Sequence, residues 1–309
     1  MLKKILGLFS ILFVILLYGN RIEPFWLETT RHDIFIEKLP STFVGERLAF
    51  ISDFQIGMWL GNEAVLSKVA ETIIKEKPLA VLIGGDFIYH PTDSDPGEAA
   101  DEWSKDDRER TFKLIAQAVL HLKPIRDADI PIYVVLGNHD YSMGRKSAHM
   151  VEETARKLTK SLESIGIQVL HNASVLIEKN GEKLAIGGVA PHYPDFDKPL
   201  QVIRTIDSDV PRVLFMHNAN SIKHLSHNQF SFAVAGHTHG GQIRVPFLPN
   251  WSWTSLVPHT PDEVMGDGWV SHPNLDEEAR IYVNRGIGFS TLPLRFNCRP
   301  ELSLFILKG

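Results

Sequence analysis

The chain has 309 residues, 44% of them hydrophobic and 22% charged, enough for one large domain or two small ones with a sizeable core. A net charge of −5 argues against a general nucleic-acid binder, which carries a basic face. The single cysteine, Cys298, excludes an intrachain disulfide and a cysteine-rich zinc site.

Residues 1–20 open with Lys3 and Lys4, followed by an uncharged apolar run from Ile5 to Tyr18. This is the layout of a secretory signal or a signal-anchor. The run suits a signal core and is short for a bilayer span. No small-x-small cleavage site follows in Leu16-Leu17-Tyr18-Gly19-Asn20. The expectation is an uncleaved, single-pass anchor in the cell membrane, in preference to a cleaved signal or a buried helix. Two lysines ahead of the run and Arg21 behind it point to a cytoplasmic N-terminus and an extracytoplasmic body.

Residues 21–46 read as a linker with a first strand at Ile34-Phe35-Ile36, and residues 47–309 as one domain. Leu48 to Ile51 is a short apolar run, hence a buried strand, delivering Asp53 and Gln55. Ala64, Val65, Val69, Ile73 and Ile74 have helical spacing, with Asn62 as N-cap and Pro78 as stop. Leu79 to Ile83 is a strand delivering Gly85-Asp86. His90 to Arg110 is acidic and polar and reads as a surface loop. Thr111 to Leu122 is helical and ends at Pro124. Ile130 to Leu136 is a strand delivering Gly137-Asn138-His139-Asp140, and Met150 to Ile165 is a helix closed by Gly166.

Gln168–Leu170, Ser174–Glu178 and Lys183–Gly187 are further strands, with Asn180-Gly181 as a hairpin turn. Val213 to Met216 delivers His217, and Ile222 to Leu225 is a helical turn. Phe230 to Ala235 runs into Gly236-His237-Thr238-His239-Gly240-Gly241. Gln242–Val245, Arg280–Asn284 and Leu302–Leu307 complete the strands. Strands alternate with helices early and dominate late. The fold class is α/β: a four-layer α-β-β-α sandwich of two mixed β-sheets flanked by helices, with an N-terminal anchor helix.

Five strand ends thus carry carboxylate, amide or imidazole groups: Asp53 with Gln55, Asp86, Asn138 with His139, His217, and His237 with His239. Ligands collect beyond the carboxyl ends of strands in α/β sheets. The donor set suits Mn, Fe or Zn better than Ca or Mg.

In their order from Asp53 to His239 these motifs resemble the calcineurin-like metallophosphoesterase superfamily. The pattern there is Asp-x-His, Gly-Asp, Gly-Asn-His-Asp/Glu, a lone His and Gly-His-x-His. Gly240-Gly241-Gln242, Asn284-Arg285-Gly286-Ile287-Gly288 and Leu292-Pro293-Leu294-Arg295 resemble its membrane-associated bacterial branch. The resemblance implies a centre of two divalent metals, manganese foremost. Asp86 would bridge them, Asp53 and His239 would complete the first, and Asn138, His217 and His237 the second. His139 would be the non-ligand catalytic histidine and the natural donor to the leaving oxygen. Asp140 would orient that imidazole, or else cap local backbone.

The implied reaction is hydrolysis of a small-molecule or lipid-linked phosphate ester or pyrophosphate, with no nucleic-acid partner. A UDP-2,3-diacylglucosamine diphosphatase is one concrete version. A catalytically weak metal-binding protein that kept the fold is the rival. The sequence departs from the family at Gln55, where the pattern has histidine. Gln55 ligates through its amide oxygen, holds a metal-bound water, or leaves the first site weak.

Smaller features stay open. Tyr89 is either a ferric-iron ligand or an aromatic at a loop start, the latter preferred. His192 lines the pocket or lies at the surface. Trp251 and Trp253 meet an apolar substrate or pack at a rim. Arg285 and Arg295 bind phosphate or serve the structure.

Overall fold

The computed structural model describes residues 2–89, 104–223, 225–247, 266–270 and 280–309. Trp251, Trp253 and most of the expected acidic loop fall outside that set. Two six-stranded sheets lie face to face. The first runs β1 (Glu28–Phe35), β12 (Glu301–Lys308), β2 (Arg47–Ile51), β3 (Ala80–Ile83), β4 (Ile132–Val134) and β5 (Gln168–Val169). The second runs β10 (Gly268–Val270), β11 (Ile281–Val283), β9 (Phe232–Ala235), β8 (Arg212–Phe215), β7 (Glu182–Gly188) and β6 (Ala173–Lys179). Both are mixed: β2 and β12 are antiparallel, as are β6 with β7 and β10 with β11, and the other pairs are parallel.

Strand side chains alternate faces, and burial follows. Leu48 and Phe50 of β2 point between the sheets, where they meet Phe215, Phe232 and Phe305. Ala49 and Ile51 point outward beneath α2 (Ala64–Glu76), α3 (Lys105–Asp127) and α4 (Glu152–Glu163). Leu214 and Ala233 form the outer face of the second sheet, covered by the short α5 (Pro199–Arg204) and a 3-10 turn.

Several expected boundaries move. Asn62 does not cap α2. Its amide instead donates to Pro24 O and Ile287 O, 2.8 and 2.9 Å away, tying two loops together. The α3 helix begins at Lys105, inside the expected loop, because Ser104 and Asp107 form a capping box. It also runs past Pro124 to Asp127. Gln242–Val245 is not a strand, since Gln242 has a φ of 48° and only isolated bridging follows.

α1 spans Leu2–Arg21. The expectation of a transmembrane segment is not supported: among the described residues no helix is long and apolar enough to cross a membrane. The uncharged run would measure ~21 Å as helix, against a hydrocarbon core of about 30 Å. Seven consecutive residues of α1, Ile11 to Leu17, are nevertheless 41–66% exposed. The foot of the helix rests on the domain. Asn20 donates to Pro293 O, Arg295 N donates to Gly19 O at 2.8 Å, and Tyr18 packs edge-on against Phe296.

Candidate active site

The carboxyl ends of β2, β3 and β4 are level, with Ile51, Ile83 and Val134 in register, and those of β8, β9 and β11 face them across the sandwich. The turns beyond them carry all nine residues expected from the sequence. Five have a left-handed backbone: Asp53, Gln55, Asp86, His237 and His239, with φ between 51° and 73°. Such strain costs stability at non-glycine residues and clusters at functional sites. Glycines make room for the carboxylates. A Cβ on Gly137 would lie 2.2 Å from Asp86 Oδ1, and one on Gly236 would lie 2.6 Å from Asp53 Oδ2.

One half of the site centres on His217 Nε2. Asn138 Oδ1 and His237 Nδ1 are each 3.0 Å from it, and Asp86 Oδ2 is 3.3 Å away. His217 Nδ1 sits 2.8 Å from Gly84 O, so it is the protonated nitrogen and its Nε2 carries the lone pair of the neutral ring. Four electron-pair donors therefore converge on one point with no hydrogen between them in that form. Among the described residues, Asp86, His217 and His237 have ligand atoms within 4.8 Å of one another, a group able to hold a metal ion.

The other half holds Asp53, Gln55 and His239. His239 Nε2 is 3.5 Å from Asp53 Oδ1, and Gln55 Nε2 donates to Asp86 Oδ2 at 2.9 Å. Gln55 Oε1 and His239 Nδ1 are buried without a partner among the described residues. A buried amide oxygen lacking a donor is a cost that a cation would remove. Both halves thus fit metal ligation, and Asp86 is shared between them.

Electrostatics agree with this. Burial pushes Asp53 up to about 6 and His237 down to about 3, the latter helped by His217. Burial also holds His239 well below its ordinary value, with Arg295 adding to it. Burial disfavours charge on Asp86, yet His217 and His139 outweigh it and keep the carboxyl ionised. The same pairing lifts His217 to about 9. Metal ions bind only deprotonated ligands, so loading this half displaces that proton.

Asp140 does not orient His139. Its carboxylate accepts three backbone N–H groups, from Asp86 and Gly137 at 2.9 Å and Phe87 at 2.8 Å. This staples the β3 turn to the β4 turn. His139 Nδ1 is buried without a partner among the described residues, and the ring stacks on Tyr89 at 5.0 Å. Tyr89 accordingly sits over the His139 ring.

Arg295 is wholly buried and donates to the carbonyls of Arg285, Gly286, Gly288 and Cys298, so it serves the loop. Arg285 pairs with Glu28 and Glu301 at 3.0 and 2.9 Å. Sequence reasoning gave no role of its own to Ser52, which donates to Asp53 Oδ2, or to Gln242, whose amide reaches Leu292 O at 3.0 Å and ties the His239 loop to residues 292–294. Gln242 stands in the Gly-Gly-Gln motif, but the motif does not say what its amide holds.

The comparisons agree with the geometry. The calcineurin-like phosphoesterase family profile matches residues 46–241. Phosphodiesterase YaeI of Escherichia coli is 27% identical, over 94% of this chain and 92% of that protein. The metallophosphoesterase YkuE of Bacillus subtilis is 26% identical, over 94% and 89%. UDP-2,3-diacylglucosamine pyrophosphatase LpxG of Chlamydia muridarum is 22% identical, over 93% and 91%. With the ligand-bearing turns and the family profile covering the same stretch, the chain belongs to the calcineurin-like phosphoesterases and is a phosphoric ester hydrolase.

Proposed function

We propose that this hydrolase cleaves a phosphodiester or pyrophosphate bond at a dinuclear divalent-metal centre, manganese foremost, and that its substrate is lipid-linked. The observation that carries the metal dependence is the convergence of Asn138 Oδ1, His237 Nδ1 and Asp86 Oδ2 on His217 Nε2. Asp86 touches both halves and is the bridging carboxylate of this reading. Asp53, Gln55 and His239 would hold one ion, and Asn138, His217 and His237 the other. Bound there, two cations neutralise phosphate charge and lower the pKa of water.

The chain's own residues do the rest. Asp140 fixes the two turns that carry Asp86 and His139. Gly84 O keeps the His217 ring in its ligating tautomer. His139 directs a ring N–H at a phosphoryl oxygen, where developing charge is stabilised.

The lipid-linked substrate rests on two supports. One relative is a named UDP-2,3-diacylglucosamine pyrophosphatase. The other is the exposed apolar run Ile11 to Leu17 of α1, which water does not favour. We assign α1 as a lipid-contacting segment. The test is turnover of bis-p-nitrophenyl phosphate by the full chain in detergent with added Mn²⁺, followed by diacyl and acyl-free sugar-nucleotide pyrophosphates, with metal counted per chain. Absence of turnover with any divalent metal would sink the metal-dependent reading. Equal turnover of diacyl and acyl-free substrates would remove the lipid.

A further inference from the structure

The segment between β7 and α5 has no part in the ligand set, yet the fold places it beside the site. β7, β8 and β9 are adjacent and parallel, so their carboxyl ends share one edge. β8 delivers His217, β9 delivers His237, and β7 delivers His192 in the same direction. Asn172 closes the segment into a compact loop: its Oδ1 accepts from Ala190 N and Lys198 N at 3.1 and 2.8 Å, and its Nδ2 donates to Phe196 O. On one side Phe196 packs edge-on against Tyr141, in the turn that carries His139. On the other, Tyr193 packs edge-on against the His237 ring at 5.6 Å. The loop is thus wedged between the His139 turn and the His237 turn.

Within this loop His192 Nδ1 lies 2.9 Å from Asp197 Oδ2, with both side chains mostly buried. No hydrogen bond to His192 Nε2 forms among the described residues. His139 offers a contrast, because its Nδ1 has no partner and no carboxylate braces it. A carboxylate on one ring nitrogen fixes the tautomer and stabilises the imidazolium, which an acid–base group needs.

We propose that His192, braced by Asp197, is the proton donor to the leaving oxygen, while His139 donates a hydrogen bond to the phosphoryl group. The proposal rests on the phosphoesterase reading above. In the step, a water oxygen bonds to phosphorus and the bond to the leaving oxygen breaks, its electron pair staying on that oxygen. His192 Nε2–H gives that oxygen its proton. The proton that water loses returns to Nε2 before the next turnover.

The experiment compares two diesters with the full chain, bis-p-nitrophenyl phosphate and an alkyl p-nitrophenyl-free diester, across His192→Ala, His192→Gln, Asp197→Asn and His139→Ala. A good leaving group needs little protonation and an alkoxide needs much. His192→Ala should lose ~10²-fold or more in kcat on the alkyl ester and far less on the p-nitrophenyl ester. His192→Gln, which hydrogen-bonds but cannot transfer a proton, should behave the same way, and Asp197→Asn should show a weaker version of that pattern. His139→Ala should lose similar factors on both. Metal content and melting temperature confirm that the variants are folded. Equal losses on both esters for His192→Ala, or rescue by glutamine, would overturn the proposal. Wild-type protein that turns over neither ester with any metal would instead defeat the phosphoesterase reading itself.

Discussion

Gln55 Nε2 donates to Asp86 Oδ2 at 2.9 Å and leaves its own Oε1 buried and unpartnered. The residue that departs from the family pattern is therefore inside the site, on the carboxylate the two halves share. An amide oxygen is a harder and weaker ligand than imidazole, so zinc should suffer from it more than manganese. Gln55→His is expected to raise affinity at the Asp53–His239 half, with a larger gain for zinc than for manganese, as read by calorimetric metal titration. No gain for either ion would show that Gln55 stands outside the coordination sphere.

Asp140 makes a different kind of contribution. Its three backbone bonds set the spacing between the β3 and β4 turns. Asn in its place keeps one acceptor oxygen and turns an NH₂ toward N–H donors. Asp140→Asn should cost about 2 kcal/mol of stability, the order of one orphaned buried polar group, measured by urea unfolding. It should also lower metal affinity, because Asp86 and Asn138 lie on the turns it joins. A full-stability variant that lost only activity would restore the role expected from sequence, that of orienting His139.

These two residues show where the sequence is legible. The residues that converge at the strand ends could be found because each follows an apolar run and a turn residue, a local signal. Gln55 was visible as a departure for the same reason. For Asp140 the local cap on Gly137 N was one of the two readings, but its bonds to the Asp86 and Phe87 N–H groups, 54 and 53 residues away, were not, because a backbone N–H has no sequence signature. The start of α3 was hidden for a related reason: acidic residues suggested loop, but Ser104 and Asp107 cap a helix. For α1 the shortness of the apolar run was legible, whereas the docking of Gly19 and Asn20 on residues 293–295 was not, because backbone carbonyls carry no sequence signature.

Glu301 carries the clearest pH dependence away from the metal ligands. It is fully buried and accepts from Arg285, Tyr282, Thr30 and Ser303. Burial alone would raise its pKa, but Arg285 and the three hydroxyl donors outweigh that and leave it lowered. A lowered folded pKa stabilises above the unfolded value, about 4.3 for glutamate, and that contribution is lost as pH falls through the folded value. Wild type should therefore lose stability steeply below about pH 4. Glu301→Gln should be less stable at neutral pH and show a flatter decline, by urea unfolding across the acid range. A parallel decline in the two proteins would mean that other carboxylates dominate.

Metal removal gives the last test, because binding to the folded state alone is also a stability term. Gln55 Oε1 and His239 Nδ1 have no partner among the described residues, and three donors crowd His217 Nε2. A cation relieves both at once, whereas the unfolded chain scatters these ligands over nearly 190 positions of sequence. A ligand at a hundred times its Kd adds about 2.7 kcal/mol. Chelator should lower the melting temperature of wild type by several degrees, and Mn²⁺ should restore it in a concentration-dependent way. His217→Ala should start lower and respond weakly to either, since it removes the atom on which one half converges. A melting temperature indifferent to chelator and to Mn²⁺ would mean that these donors hold no ion.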